Sequence, residues 1–144
     1  MVHAGRIRCA GVVVGGSALE AFLPAIAGAH KGAVNKRDLE ILRAAQIAEA
    51  LALTTYTNII NRAPFFSGIP TDDQGYLQAE REQEMSHYLL EESVTKKPSP
   101  VTTFYHPPMM FADAQTTLNV LVMLEDAFIA AYLRRGDQLR HLPR

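Results

Sequence analysis

Apolar and polar positions follow a helical period along three stretches of the chain. In the first, from Arg37–Asp38 to about Arg62, Leu42, Ala45, Glu49, Leu53, Tyr56 and Ile60 recur at steps of three and four and define one face. Asp38 suits a cap or a first-turn acid, and Pro64 lies just beyond as a stop. In the second stretch, roughly Asp73 to Ser93, Leu77, Glu80, Glu84, His87 and Glu91 share a face, and Asp72 and Asp73 are the expected caps. Met85, Tyr88, Leu89 and Leu90 would supply most of its apolar surface. The third stretch, about Ala112 to Arg135, has Leu118, Leu121, Val122, Glu125, Phe128, Ile129 and Tyr132 on one face, with Gly136 as its expected stop. Arg134 and Arg135 suit its negative end.

The intervals between these stretches set the topology. Ala63 to Thr71 reads as a loop from its proline and glycine content. Val94 to Phe111 contains Pro98, Pro100, Pro107 and Pro108, so it cannot be helical throughout. Extended at about 3.3 Å per residue, a segment of that length can run back along a helix of about 30 Å. The expectation is therefore an all-α bundle with three long helices and a long crossover between the second and third. Phe104, Tyr105, Met109 and Met110 are expected to pin the crossover to the bundle.

Composition narrows the function classes. A chain of 144 residues, 48% hydrophobic and 20% charged, fits one soluble globular domain with a real core. A net charge of −1, with no basic run interleaved with aromatics, gives no case for nucleic acid. The single cysteine, Cys9, excludes an intrachain disulfide and a cysteine-based zinc site. Residues 1–30 form an apolar N-terminal segment. Arg6 and Arg8 precede a run ending in Ala25-Ile26-Ala27-Gly28-Ala29, which reads as an export signal leading to the periplasm or exterior. The alternative is a packed N-terminal helix in a cytoplasmic protein. Glu20 and Pro24 make the run a poor membrane span, so any membrane contact is expected only through this segment. The segment 136–144 is a short polar tail.

Glu84-Met85-Ser86-His87 places a carboxylate and an imidazole three residues apart, about one turn apart on a single helix face. Taken alone this spacing is common and fits a solvated face. Glu49 and Glu125 add weight because each sits mid-helix on an apolar stripe, although Arg43, Thr54, Asn58 and Asp126 show that polar residues had other places. Carboxylates brought together in a bundle repel one another and shift towards protonation. A divalent cation removes that penalty, and carboxylate with imidazole suits iron or manganese. The candidate metal ligands are Glu49, Glu84, His87 and Glu125, with Glu80 a competitor of Glu84; no catalytic residue is assigned.

Residues 37–135, with Glu49, Glu84 and His87, Leu124-Glu125-Asp126-Ala127 and Ala131-Tyr132-Leu133, resemble the ferritin-like superfamily, closest to the bacterial domain shared with desiccation-related proteins. The resemblance implies a four-helix bundle in which helices one and three each give a glutamate and helices two and four each give Glu-x-x-His. Glu49 then matches the first helix, Glu84 and His87 the second, and Glu125 the third. It also implies oxidation or sequestration of iron or manganese, or, in the desiccation-related branch, an exported protective protein without defined catalysis. No fourth helix is expected in the eight residues after Gly136, and His141 has no glutamate three residues before it. That absence would leave an open apolar face inviting self-association. The change after Ala130-Ala131-Tyr132-Leu133 reads as a family helix giving way to unrelated sequence, as a truncated or frameshifted reading frame would produce.

Overall fold

The computed structural model describes residues 34–139 and is all-α. Its long helices are α1 (Lys36–Arg62), α2 (Thr71–Thr95) and α3 (Ala114–Leu139), with short 3-10 turns at Phe66–Gly68 and Pro108–Phe111. The three helices and the long crossover between the second and third are as the periodicity predicts.

Asn35 caps α1, its side-chain oxygen accepting the Asp38 backbone N–H at 2.9 Å, while Asp38 serves as the first-turn acid. At the start of α2 the expected caps are corrected. Pro70 is the N-cap and Asp72 and Asp73 lie inside the first turn, where the positive helix end favours them. Gln74 reaches back instead, its Nε2 donating to the Ile69 carbonyl at 2.9 Å. The helix ends at Lys96, which takes the left-handed conformation at φ 57° and returns its N–H to the Glu92 carbonyl at 2.8 Å. Helix α3 starts two residues later than expected because Asp113 caps it, accepting the Thr116 N–H at 2.8 Å and the Thr116 hydroxyl at 2.8 Å. These hydrogen bonds also hold the Asp113 carboxyl below its usual range. Gly136 does not stop this helix, which continues to Leu139. Glycine inside a helix costs about 1 kcal/mol against alanine and does not by itself end one.

A short loop joins α1 to α2, and the two pack antiparallel along their length. At the loop end Tyr56, Ile59, Ala63, Leu77 and Leu121 form the apolar core, with Phe65, Phe66, Ile69, Phe111 and Leu118 packed against it. At the opposite end the seam is polar. Gln46 Nε2 and Thr95 Oγ1 both donate to the Lys97 carbonyl, at 2.8 and 2.9 Å. The buried face of α1 is wider than predicted, because Gln46, Thr55 and Ile59 are fully buried beside the expected stripe. On α2, by contrast, Met85 and Leu89 are exposed, and Leu77, Glu84, Glu91 and Thr95 are the buried residues.

The crossover is held only in part by the residues expected. Met110 is buried, but Tyr105 is 99% exposed and Met109 70% exposed. Hydrogen bonds take their place. The Ser99 N–H donates to the Tyr88 hydroxyl at 3.0 Å, and Thr117 Oγ1 donates to the Met110 carbonyl at 2.6 Å. His106 Nε2 lies 2.9 Å from Thr55 Oγ1, whose own proton goes to the Leu51 carbonyl at 2.8 Å. The imidazole is therefore the donor through an Nε2–H tautomer, in keeping with burial lowering its pKa.

The partner expectations, self-association through an open face with membrane contact at the N-terminal segment, are corrected. No helix among the described residues is long and apolar enough to cross a membrane. Each of the three long helices carries carboxylates in its middle turns, which such a span excludes. The segment 1–30 lies outside the described residues.

Candidate metal centre

The centre forms where the α1–α2 seam changes from apolar to polar. In the antiparallel pair Glu49 of α1 faces the turn of α2 that carries Glu84 and His87. One donor atom from each of these three side chains falls within 4.8 Å of the other two. His87 Nδ1 lies 3.6 Å from Glu49 Oε2 and 3.7 Å from Glu84 Oε2. Both separations exceed hydrogen-bond length, so the contacts are electrostatic at short range. Glu49 and Glu84 are buried and His87 is half-buried.

Burial dominates the electrostatics. It pushes the Glu84 carboxyl up; His87 offsets part of the rise, and the neighbouring Glu49 adds to it. For His87, burial pushes the imidazole down, but the interactions with Glu49 and Glu84 outweigh it and hold the pKa at about 9. The cluster thus carries a protonated imidazole near neutral pH, occupying the charge position that a cation would take.

Glu125, the fourth residue expected in the site, is not among the three that meet. It is half-buried on α3, and its Oε1 accepts from the Tyr56 hydroxyl across a long 3.5 Å. Its carboxyl is raised first by burial and then by Glu80 and Glu49. Glu80 is also half-buried and does not displace Glu84 from the inward position. Tyr56, between the carboxylates, has its phenol raised by burial and by Glu125, Glu80 and Glu84.

Glu91 was legible as a member of the α2 face but not as a buried group. It is 1% exposed, and among the described residues its Oε2 is the one buried side-chain nitrogen or oxygen without a hydrogen-bond partner. Burial raises its pKa to about 9, with Glu49 and Glu84 adding to the rise and His87 opposing it. The spacing Glu84, His87, Glu91 is the signal that could have found it.

Three groups drawn from two rigid helices can coordinate a divalent ion through two carboxylates and an imidazole. This donor set does not single out iron or manganese from other oxygen- and nitrogen-preferring cations. In comparisons with known proteins the chain matches no family model, no curated protein and no solved structure.

Proposed function

We propose that this protein binds a divalent cation, iron or manganese, in a bundle of the ferritin-like type, with Glu49, Glu84 and His87 as ligands and Glu125 nearby. The observation that carries the reading is the convergence of three donor atoms within 4.8 Å in the buried middle of a helix pair. Leaving carboxylates there costs several kcal/mol unless a positive charge joins them. A metal ion supplies two charges where the imidazolium supplies one. Binding displaces the proton from His87, because a metal ligand must be the neutral imidazole.

The charge pairing itself favours a second reading. His87 already offers both carboxylates a cationic partner at 3.6 and 3.7 Å, which suffices for a structural ion-pair cluster. In that reading the chain is an exported structural or stress-protective protein of the ferritin-like type with no working metal site.

Iron and manganese measured by elemental analysis on the full-length chain separate the two readings. Near-stoichiometric metal that disappears in a Glu84→Ala, His87→Ala double variant is expected. A wild-type chain that is helical yet holds neither metal, even after incubation with Mn(II), leaves the structural reading standing.

A further inference from the structure

We propose that Glu91 is a further ligand of the cation held by Glu49, Glu84 and His87, so that the α1–α2 pair offers one ion three carboxylates and one imidazole. This deepens the cation-binding reading and rests on it. Glu91 lies one turn beyond His87 on the same face of α2, continuing the column that begins at Glu84. It is less exposed than either Glu49 or Glu84, at 1% against 4% and 6%. Water therefore does not reach Oε2 to satisfy it. Oε2 nevertheless has no hydrogen-bond partner, although buried side-chain oxygens almost always find one.

A structural role does not account for this arrangement. A glutamate kept for packing would be better replaced by methionine or leucine, and one kept for hydrogen bonding would have its oxygens occupied. Glu49, Glu84 and His87 all act on its charge state, so the carboxyl lies within electrostatic range of each. Glu91 stands outside the 4.8 Å set of donor atoms. Rotation about its side-chain bonds is the movement the proposal requires, and no hydrogen bond to Oε2 has to be broken to make it. Three protein ligands also leave positions open on an ion that takes six, so a fourth donor has room.

The test titrates Mn(II) into the full-length protein, following free Mn(II) by electron paramagnetic resonance. Melting temperature is recorded with and without the ion. The Glu91→Gln variant is expected to melt at or above the wild-type temperature without metal, yet to bind Mn(II) about tenfold or more weakly. Its metal-induced rise in melting temperature should shrink in parallel. Glu91→Met, which keeps an unbranched chain of similar volume and removes both oxygens, should behave in the same way. Equal affinity in wild type and both variants overturns the assignment of Glu91 while leaving the three-ligand site intact. Loss of the fold in both variants also overturns it, since Glu91 would then be structural. A wild-type chain that binds neither Mn(II) nor, in the same titration, Fe(II) removes the cation reading itself, and this inference with it.

Discussion

Helices α1 and α3 carry the same kind of sequence signal, an apolar stripe with one glutamate at its centre, and they end in different surroundings. Glu49 on α1 is buried against Glu84 and His87, and Ala50 next to it is buried as well. Glu125 on α3 is half-buried, with a long contact to Tyr56, and Val122 and Met123 next to it are 60% and 70% exposed. The connections account for the contrast. A short loop after Ala63 forces α1 and α2 into an antiparallel hairpin, so their faces meet along the whole seam. Helix α3 arrives through the crossover and is anchored at its beginning, where Thr117 bonds Met110 and Leu121 enters the core. Periodicity specifies which residues share a face, whereas connectivity decides how much of that face is covered.

The largest test of this contrast truncates one residue in each region. Ile59→Ala removes a fully buried side chain from the core at the loop end, and the expected cost is about 2–5 kcal/mol from lost burial and the cavity left behind. Val122→Ala on the exposed part of α3 should stay within about 0.5 kcal/mol of wild type. Urea unfolding of both variants measures the difference. Comparable losses would mean that α3 is covered as fully as the hairpin, and would break the comparison.

A smaller effect, spread over pH, should follow from the hairpin seam. Glu84, His87 and Glu91 all have folded-state pKa values above their ordinary ones. A group raised in this way contributes its full stability below the ordinary value and loses it as the pH rises through the folded value. For Glu91 that window runs from 4.5 to about 9, and for His87 from 6.5 to about 9. The metal-free protein is therefore expected to lose stability between pH 5 and 9, by about 1.4 kcal/mol per pH unit for each proton the seam must release. Asp113, held low, acts in the opposite sense and only as the pH falls through and below 3.8. Denaturation midpoints across this range, taken with chelator present, check the sign. A flat profile would mean that the buried carboxyls do not retain their protons.

Much of the hairpin could be read before the fold was known. Leu42, Glu49 and Tyr56 on α1, and Leu77 and Glu84 on α2, are buried as their spacing requires. The meeting of Glu49 with the Glu84–His87 turn follows from two mid-helix positions in an antiparallel pair. The sequence was less informative where burial depends on hydrogen bonds rather than on apolar character. Gln46, Thr55 and Thr117 fall outside the predicted stripes, yet each is buried because a carbonyl, an imidazole or a helix start supplies its partner. Tyr105 and Met109 failed as anchors for the converse reason. Proline-rich backbone fixes the path of the crossover, and apolar side chains on such a path need not turn inward. The position of Gly136 shows a similar limit, since a helix ends where its backbone finds a cap, not at every glycine.

The smallest effects compare two neighbouring residues on α1 that tie different segments to it. Thr55 accepts from His106 of the crossover at 2.9 Å, and Tyr56 donates to Glu125 of α3 at 3.5 Å. Thr55→Val keeps the shape and removes the acceptor, so it should cost about 1 kcal/mol. Tyr56→Phe removes only a hydroxyl whose hydrogen bond is longer than the usual 2.5–3.0 Å range, and about 0.5 kcal/mol or less is expected. Helix propensity confuses neither comparison much, because threonine and valine are alike in this respect, as are tyrosine and phenylalanine. Hydrogen exchange then sharpens the result. Thr55→Val should speed exchange in the crossover around His106, while Tyr56→Phe should leave α3 near its already lower protection. If Tyr56→Phe instead costs as much as Thr55→Val and exposes the amides around Glu125, α3 is held at the level of the metal centre. Glu125 would then belong with Glu49 and Glu84 more closely than its 3.5 Å contact suggests.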